Sequence, residues 1–204
     1  MQPQRSNEWY VARLGRATAS RFGDIMAGAK YAGWRNYRAD LVIERLTGTR
    51  IETYTSTAMQ WGIDTEPLAR LRYSLTTKQT IEECGLFAHE KLEAGASPDG
   101  LIGTDGVVEI KCPNPATHIE TLKTNKVPKA YYWQMMGQLW ITGRDWADYV
   151  SFDPRLPDNA SLIIIRVYRN EEEIKKLEEQ VKVFLDEVEE ELKFIKFYSP
   201  KEVK

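Results

Sequence analysis

The chain has 204 residues, 42% of them hydrophobic, which is enough for one substantial core and predicts a single domain. Its longest apolar runs, such as Leu162 to Ile165, are far too short to span a bilayer, and the N-terminal sequence lacks the apolar segment of a signal peptide. Two cysteines are typical of a reducing compartment and too few for a four-cysteine zinc or iron–sulfur site. We therefore expect a soluble, cytoplasmic protein without a membrane partner.

Charge is distributed unevenly along the chain. The formal net charge is −2, but residues 1–50 hold nine Lys and Arg against four Asp and Glu, a local charge of +5. Residues 171–204 hold seven against eleven, a local charge of −4. The first segment is a candidate for anion binding, and the ordinary alternative is that its arginines lie on solvated helix surfaces.

Helical patterns alternate with strand-like patterns along the chain. Helical spacing of apolar residues and helix-capping residues predict helices at residues 6–15, 18–28, 34–46, 57–75, 116–124, 130–141 and 171–197. Apolar and β-branched runs predict strands at residues 80–89, 100–103, 107–112, 146–152 and 162–168. The last of these is nearly all apolar or β-branched, which predicts a central place in the sheet. Helices on both sides of a block of strands predict an α/β or α+β fold with a mixed central β-sheet flanked by helices.

Local residue chemistry predicts several helix boundaries. Ser6 is the expected cap of the first helix, and Thr18 or Ser20 is the expected cap of the second. Glu66 precedes Pro67 in the fourth helix, which predicts a local irregularity there. The last helix, at about residues 171–197, is predicted to be amphipathic.

The predicted strand at residues 107–112 carries two charged side chains. Because alternate residues of a strand share a face, Glu109 and Lys111 project side by side. The opposite face carries the apolar side chains of Val108, Ile110 and Cys112. Asp99 is separated from this strand by a turn-like segment at Gly103–Gly106, so we expect it on a neighbouring strand or at its end. One face then resembles a core and the other resembles a site.

Two carboxylates and an amine in this arrangement suit metal-dependent chemistry, although Glu109 and Lys111 by themselves would also form an ordinary ion pair. Oxygen ligands of this kind suit Mg²⁺ or Mn²⁺, which bind through one or two carboxylates together with water and substrate phosphate. Lys111 would lie beside the attacking water and stabilise the phosphate transition state. The pattern therefore predicts a Mg²⁺ site at Asp99 and Glu109, in which Mn²⁺ can substitute.

The arrangement Asp99-x9-Glu109-Ile110-Lys111 resembles the PD-(D/E)xK nuclease pattern, in the form "SPDG…EIKCP" of the λ exonuclease and YqaJ-type viral recombinase family. Three other segments are similar to family motifs and follow the family's order: "EWYVARLGRATASRF", "WGIDTEPLAR" and "AYYWQMMGQLWITG". "FDPR", Phe152–Arg155, also falls where the family places it. The resemblance covers most of residues 6–155 and implies a PD-(D/E)xK restriction-endonuclease-like core.

The resemblance also implies roles for individual residues. The implied metal ligands are Asp99, Glu109, Glu66 and the backbone carbonyl of Ile110. Lys111 would be the catalytic lysine, and Gln134 would lie near the attacking water. The residues implied to contact the terminal 5′-phosphate and nearby DNA are Arg13, Ser20, Ser97, Trp9 and Tyr131. Each has an ordinary alternative: Glu66 and Arg13 as solvated charges, Ser20 as a helix cap, and the glutamine and aromatic residues as packing.

Function is implied by the same resemblance. It implies a Mg²⁺-dependent exonuclease that starts at 5′-phosphorylated ends of double-stranded DNA and digests one strand 5′ to 3′, leaving 3′ single-stranded DNA for phage-type homologous recombination. It also implies a homotrimer and a single-strand annealing recombinase as partner. Residues 1–204 would form one nuclease domain, with helices at about 6–48 contributing to DNA-end binding. The alternatives are a structure-specific or restriction-type endonuclease and a non-catalytic DNA-end-binding protein, because fold does not determine the reaction.

Overall fold

A computed structural model describes residues 3–51 and 54–199; the rest of the predicted domain, residues 1–2, 52–53 and 200–204, lies outside the described residues. The helices are α1 (Asn7–Arg13), α2 (Phe22–Ala27), α3 (Ala32–Thr47), α4 (Thr57–Thr77), α5 (Pro115–Thr124), α6 (Lys129–Thr142) and α7 (Glu171–Lys196). The strands are β1 (Ala17–Thr18), β2 (Phe87–Ala88), β3 (Ala94–Ala96), β4 (Gly100–Ile102), β5 (Gly106–Lys111), β6 (Trp146–Phe152) and β7 (Leu162–Tyr168). Within the described ranges, no helix has the length and apolar character needed to cross a membrane.

The larger sheet is mixed and has the strand order β4-β5-β6-β7. Its central strands β5 and β6 run parallel, from Gly106 opposite Trp146 to Lys111 opposite Ser151. The outer pairs, β4 with β5 and β6 with β7, are antiparallel. A mixed sheet flanked by helices is the α/β fold class predicted from the sequence, and the structure confirms it.

Helices cover both faces of this sheet, so the two faces of β5 enter different cores. Val107 packs with Tyr149 into the larger cluster, which also contains Phe22, Trp34, Leu139 and Phe184. Val108 and Ile110 pack into the smaller cluster with Tyr73 of α4. Glu109 and Lys111 share the face of Val107, so their side chains project beneath a helix rather than onto an open surface.

A second, three-stranded sheet joins the N-terminal segment to the chain that leads to Asp99. Its order is β1-β3-β2, with Ala17 parallel to Ala94 and Phe87 antiparallel to Ala96. The sequence pattern did not predict β1 or β3, because short stretches of small residues carry no strand periodicity. This sheet holds the end of α1 close to the residues just before β4.

Two strand predictions were wrong in part. β7 lies at the edge of the larger sheet and not at its centre, since it pairs only with β6. Its apolar character has a different cause: its side chains enter both cores, Leu162 and Ile164 the smaller, Ile165 and Val167 the larger. Of residues 80–89, only Phe87–Ala88 form a strand, and Glu82 makes an isolated bridge to Leu101.

The helix boundaries agree with the sequence at one cap and disagree at another. Ser6 caps α1 as predicted, because its side chain accepts a hydrogen bond from the backbone of Trp9. α2 begins only at Phe22, after β1 and a 3-10 turn, and neither Thr18 nor Ser20 caps it. α4 continues through Pro67, so the predicted irregularity does not interrupt the helix.

α6 packs closely against the start of α2. A β-carbon at Gly137 would lie 2.3 Å from the ring of Phe22, so only glycine allows this approach. The contact places the inner side of α6, with Gln134 and Gln138, against the Glu109 face of β5.

Candidate active site

Asp99 stands immediately before β4, where that strand pairs with β5. Its backbone N–H donates to the carbonyl of Val108 at 3.0 Å, and its Oδ2 accepts a hydrogen bond from the backbone N–H of Ile110 at 2.7 Å. Arg70 of α4 donates to the Asp99 carbonyl oxygen. The expected position at the end of a neighbouring strand is confirmed, and it puts the Asp99 carboxylate next to the backbone that follows Glu109.

Glu109 is only 1% exposed, yet donors reach both of its carboxylate oxygens. Oε1 accepts from Gln134 Nε2 at 2.5 Å and lies 2.5 Å from the ammonium of Lys111, while Oε2 accepts from Gln138 Nε2. The two glutamines lie one helical turn apart on α6, so their side chains reach the same group. These donors compensate the burial of the carboxylate and fix its orientation.

Lys111 ends β5 between a carboxylate and an aromatic ring. Its ammonium lies 5.0 Å from the centre of the Tyr131 ring, which stacks on Tyr149. Burial disfavours the ammonium, but the charges of Glu109 and Asp99 outweigh it and raise the pKa of Lys111 above its ordinary value. Lys111 is therefore a cation at neutral pH, suited to stabilising negative charge rather than to accepting a proton.

Glu66 does not join the other two carboxylates. Its oxygens are held by Arg70 and Arg5, each at 2.7 Å. Burial by itself would raise the pKa of Glu66, but hydrogen bonds from the two arginines hold it below its ordinary value. Across residues 3–51 and 54–199, no group of three or more His, Cys, Asp and Glu side chains is arranged to hold a metal ion.

Asp99 and Lys111 line a cavity of about 920 Å³, here called the large cavity, whereas the buried Glu109 does not. Its lining also includes Ile110, Glu66 and Tyr131. Three arginines, Arg5, Arg50 and Arg155, also line it. The volume suits a small ligand or part of a larger one, and its walls combine carboxylates with guanidinium groups.

A second cavity of about 400 Å³, the small cavity, adjoins the first and contains Arg13 and Ser20. The two cavities share the wall residues Trp9, Tyr10, Arg50 and Met59. Arg13 lies 4.2 Å above the ring of Trp9 and donates to the hydroxyls of Thr18 at 3.3 Å and Ser20 at 3.5 Å. Burial lowers the pKa of Arg13, and within the described part of the chain it forms no ion pair.

Two residues of the predicted set lie outside the small cavity wall: Tyr131 lines the large cavity, and Ser97 lines neither cavity. The Ser97 hydroxyl accepts a hydrogen bond from the indole N–H of Trp9 at 3.0 Å. Trp9 therefore connects Ser97 to Arg13, whereas Tyr131 contacts Lys111 and Tyr149 instead.

The model of the YqaJ-like viral recombinase domain matches residues 8–145. The chain belongs to the YqaJ-like viral recombinase family. The matched span contains all of the candidate residues, from Trp9 to Gln134.

Solved structures similar to this YqaJ-like chain are exonucleases. Two crystal structures of LHK-Exo, an alkaline exonuclease from Laribacter hongkongensis, one of them in complex with dAMP, match with a TM-score of 0.89 and 46% identity over 94% of this chain and 96% of theirs. A phage-related exonuclease from Haemophilus somnus 129PT shares the fold, with a TM-score of 0.72 and 16% identity over 88% of this chain and 96% of that one. No match was found among the curated proteins.

The donor set of this YqaJ-like domain fits a divalent cation. The backbone N–H of Ile110 donates a hydrogen bond to Oδ2 of Asp99. Within the described residues, Oδ1 of Asp99 accepts no hydrogen bond and can therefore bind a metal ion. Burial and then the charge of Glu109 raise the pKa of Asp99 to about 8, so a cation beside Asp99 would stabilise its ionised form. An all-oxygen set of Asp99, Glu109 and the Ile110 carbonyl suits Mg²⁺ or Mn²⁺, which complete their coordination with water.

Sequence reasoning missed Gln138, Arg70 and Arg5. Gln138 is 1% exposed and is the sole side-chain donor to Oε2 of Glu109 among the described residues. A signal for it was present, because two glutamines four residues apart on the largely apolar α6 would face the same side. Nothing in the sequence indicated Arg5, which reaches Glu66 from 61 residues away.

Proposed function

We propose that this protein is a Mg²⁺-dependent exonuclease acting on double-stranded DNA ends, with Mn²⁺ able to replace Mg²⁺. The observation that carries this proposal is the convergence of Asp99, Glu109 and the cationic Lys111, of which Asp99 and Lys111 line the large cavity. Two carboxylates and an ammonium at a solvent-accessible site suit metal-assisted phosphodiester hydrolysis. Membership in the YqaJ-like viral recombinase family and the similarity to solved exonucleases support a nuclease function.

Asp99, Glu109 and the Ile110 carbonyl would hold the metal ion. When bound, such an ion lowers the pKa of a water molecule and neutralises charge on the leaving oxygen. Glu66 would support the site indirectly, because it holds Arg70, which donates to the carbonyl oxygen of Asp99.

Lys111 would act on the substrate itself. Its ammonium is held at Glu109 Oε1 and remains charged, so it can donate to a phosphate oxygen as negative charge develops there. Gln134 and Gln138 would keep Glu109 oriented throughout, since each donates to a different oxygen. Tyr131 would limit the movement of Lys111 through its ring.

The small cavity would bind the terminal 5′-phosphate. Arg13 offers guanidinium donors there, Ser20 adds a hydroxyl, and Trp9 forms part of the wall with its indole N–H held by Ser97. A terminal phosphate carries more negative charge than an internal linkage and so gains more from Arg13. Anchoring the 5′ end beside the large cavity supports 5′-to-3′ digestion, which leaves 3′ single-stranded DNA for homologous recombination.

We further propose that the protein works as a homotrimer and hands its 3′ single-stranded product to a single-strand annealing recombinase. Both suggestions follow from the family resemblance. Sedimentation equilibrium would report the oligomeric state, and a trimer mass is expected.

The nuclease proposal is tested with end-labelled linear duplex and a covalently closed circle of the same sequence, each with and without Mg²⁺. We expect loss of the linear substrate alone, only with the metal, and release of mononucleotides from the 5′-labelled end. Cleavage of the closed circle would instead identify an endonuclease. Failure to cleave either substrate with Mg²⁺ or Mn²⁺, despite DNA-end binding, would identify a non-catalytic end-binding protein.

A further inference from the structure

Arg155 occupies the wall of the large cavity just beyond the end of β6. β5 and β6 are parallel, and Lys111 ends β5, so Arg155 and Lys111 emerge from the same edge of the sheet. Ligands of open α/β sheets bind at this edge, outside the carboxyl ends of the parallel strands. Arg155 also lies beyond residues 8–145, the span that the family model matches.

The guanidinium of Arg155 contacts three neighbours, Asp153, Trp61 and Pro113. Asp153, which is fully buried, accepts from Nε at 2.8 Å, from Nη2 at 2.9 Å and from the Arg155 backbone N–H at 3.0 Å. The guanidinium carbon lies 4.3 Å from the centre of the Trp61 ring. Nη2 also reaches the carbonyl of Pro113 at 3.4 Å, whereas Nη1 forms no hydrogen bond within the described residues.

We propose, on the basis of the nuclease function above, that Arg155 binds a backbone phosphodiester of the DNA substrate. Because Asp153 and Trp61 fix the guanidinium, Nη1 is left to offer its N–H donors to a phosphate oxygen at little cost in side-chain entropy. Asp153 and Trp61 are then positioning residues, and Arg155 is the contact itself.

The N-terminal end of α5, in the same cavity wall as Arg155, adds attraction for an anion. Asn114 and Thr117, at the N-terminal end of α5, line the same cavity, and helix N-termini carry partial positive charge. Asp153 neutralises part of the charge of Arg155. The hydrogen bond from Nη1 to the phosphate would therefore orient the DNA backbone as well as attract it. A phosphodiester carries one negative charge on two exposed oxygens, and either oxygen can accept a hydrogen bond from the Nη1 group of Arg155.

The chain contains a matched control for this arrangement. Arg166 donates to the buried Asp148 through Nε at 2.8 Å and Nη2 at 2.9 Å, and it lies 3.6 Å from the centre of the Trp146 ring. Arg166 lines neither the large nor the small cavity. The two arginines thus share their chemistry and differ in access to the proposed DNA path.

The first experiment compares Arg155→Met with Arg166→Met. DNA affinity is measured by fluorescence anisotropy in EDTA, which prevents cleavage, and KM and kcat are measured with Mg²⁺. We expect Arg155→Met to weaken binding and raise KM about tenfold with kcat nearly unchanged, and to reduce the slope of log affinity against log salt by about one. Arg166→Met should leave affinity, KM and salt slope at wild-type values.

Either methionine variant leaves a buried aspartate without its arginine, which can destabilise the fold. The double variants Asp153→Asn/Arg155→Met and Asp148→Asn/Arg166→Met remove that charge and serve as the second pair. Both pairs are compared at equal folded fraction, judged by circular dichroism. If the first double variant binds DNA with wild-type affinity and salt slope, Arg155 is a structural residue and the assignment is wrong.

The second experiment identifies the phosphate. Duplexes carry one neutral methylphosphonate linkage, moved one position at a time along the first linkages of each strand. At the contacted linkage, we expect neutralisation to weaken wild-type binding about tenfold and to leave Arg155→Met nearly unaffected, since the partner is already gone. The affected position distinguishes the digested strand from its complement, and equal losses in both proteins at every position would overturn the assignment.

These outcomes are separable from the proposed nuclease function. If wild-type protein binds but never cleaves DNA, the nuclease function fails, and the EDTA binding comparison still decides the role of Arg155. If wild type cleaves and the two arginine variants behave alike, only the Arg155 assignment fails.

Discussion

The two adjoining cavities have opposite electrostatic needs. In the large cavity, burial and the neighbouring charge of Glu109 raise the pKa of Asp99 to about 8, so a cation would stabilise the site. In the small cavity, burial lowers the pKa of Arg13, which has only hydroxyls and an indole ring as close partners within the described residues, so an anion would stabilise it. Within the described residues neither Asp99 nor Arg13 forms an ion pair, although Asp40 and Glu44 also line the small cavity.

This difference indicates how one substrate can use both cavities. A DNA end would place its terminal phosphate at Arg13 and a following linkage at the metal site, across the shared wall of Trp9, Tyr10, Arg50 and Met59. Changes in the large cavity should then affect the chemical step on every substrate. Changes in the small cavity should matter only where a terminal phosphate is present.

The largest expected effect comes from Asp99→Ala. Loss of this ligand should abolish cleavage while the helical circular-dichroism signal and DNA binding remain largely intact, because the substitution removes a metal ligand without emptying the core. Ca²⁺ should support binding with little turnover, since its looser coordination orients reactants poorly. Asp158→Ala, at a side chain that is 95% exposed, is the control and should retain full activity. Wild-type cleavage by Asp99→Ala would overturn the site assignment.

Lys111→Ala should be the next most severe change. We expect cleavage to fall by roughly two orders of magnitude or more, the scale of losing one preorganised contact to the transition state, while calorimetry still detects Mg²⁺ binding. Lys111→Arg should not restore activity, because a planar guanidinium does not replace a compact ammonium. Loss of metal affinity with an intact chemical step would show instead that Lys111 only supports the carboxylates.

Arg13→Ala should have a smaller effect that depends on the substrate. A charge-assisted contact is worth about 1.5–3 kcal/mol, so digestion of 5′-phosphorylated duplex should slow roughly ten- to a hundredfold, with little change for 5′-hydroxyl duplex. Rates on the two ends are compared at one modest salt concentration, since general phosphate attraction weakens as salt rises. Equal slowing of both substrates would show that Arg13 does not recognise the terminal phosphate, and the proposed role of the small cavity would be wrong.

Gln138→Leu should have the smallest effect and should act through the metal. Without its amide, Oε2 of Glu109 loses its side-chain donor, and loss of a group that orients a metal ligand typically costs about tenfold or more in affinity or activity. We expect the Mg²⁺ concentration for half-maximal rate to rise about tenfold, with an unchanged preference for 5′-phosphate. If the variant reaches half-maximal rate at the wild-type Mg²⁺ concentration, Gln138 serves only in packing between α6 and β5.

Local patterns predicted much of the fold. β6 and β7 have the predicted bounds, and α7 ends within one residue of its predicted end, because apolar periodicity depends only on neighbouring residues. The central position expected for β7 was wrong. An edge strand whose two faces are both covered is as apolar in sequence as a central strand, so the pattern does not distinguish them. β1 and β3 were missed because their small residues form strands only through pairing with distant chain.

The sequence by itself determined which residues could form the candidate site. Alternation along β5 puts Glu109 beside Lys111. The turn between β4 and β5 makes the two strands antiparallel, which brings Asp99, just before β4, close to the end of β5. Family resemblance added Gln134, Glu66 and the 5′-phosphate residues. These inferences needed only local geometry or matched motifs.

The tertiary structure decided how those side chains are paired. Glu66 meets Arg5 and Arg70 instead of the other carboxylates, Gln138 joins Gln134 on Glu109, and Arg155 enters the wall of the large cavity. Each pairing depends on how helices pack across the sheet and on contacts between segments far apart in sequence. Ion pairs and hydrogen bonds act over a few ångströms, so their partners are set by packing, which residue spacing along the chain does not specify.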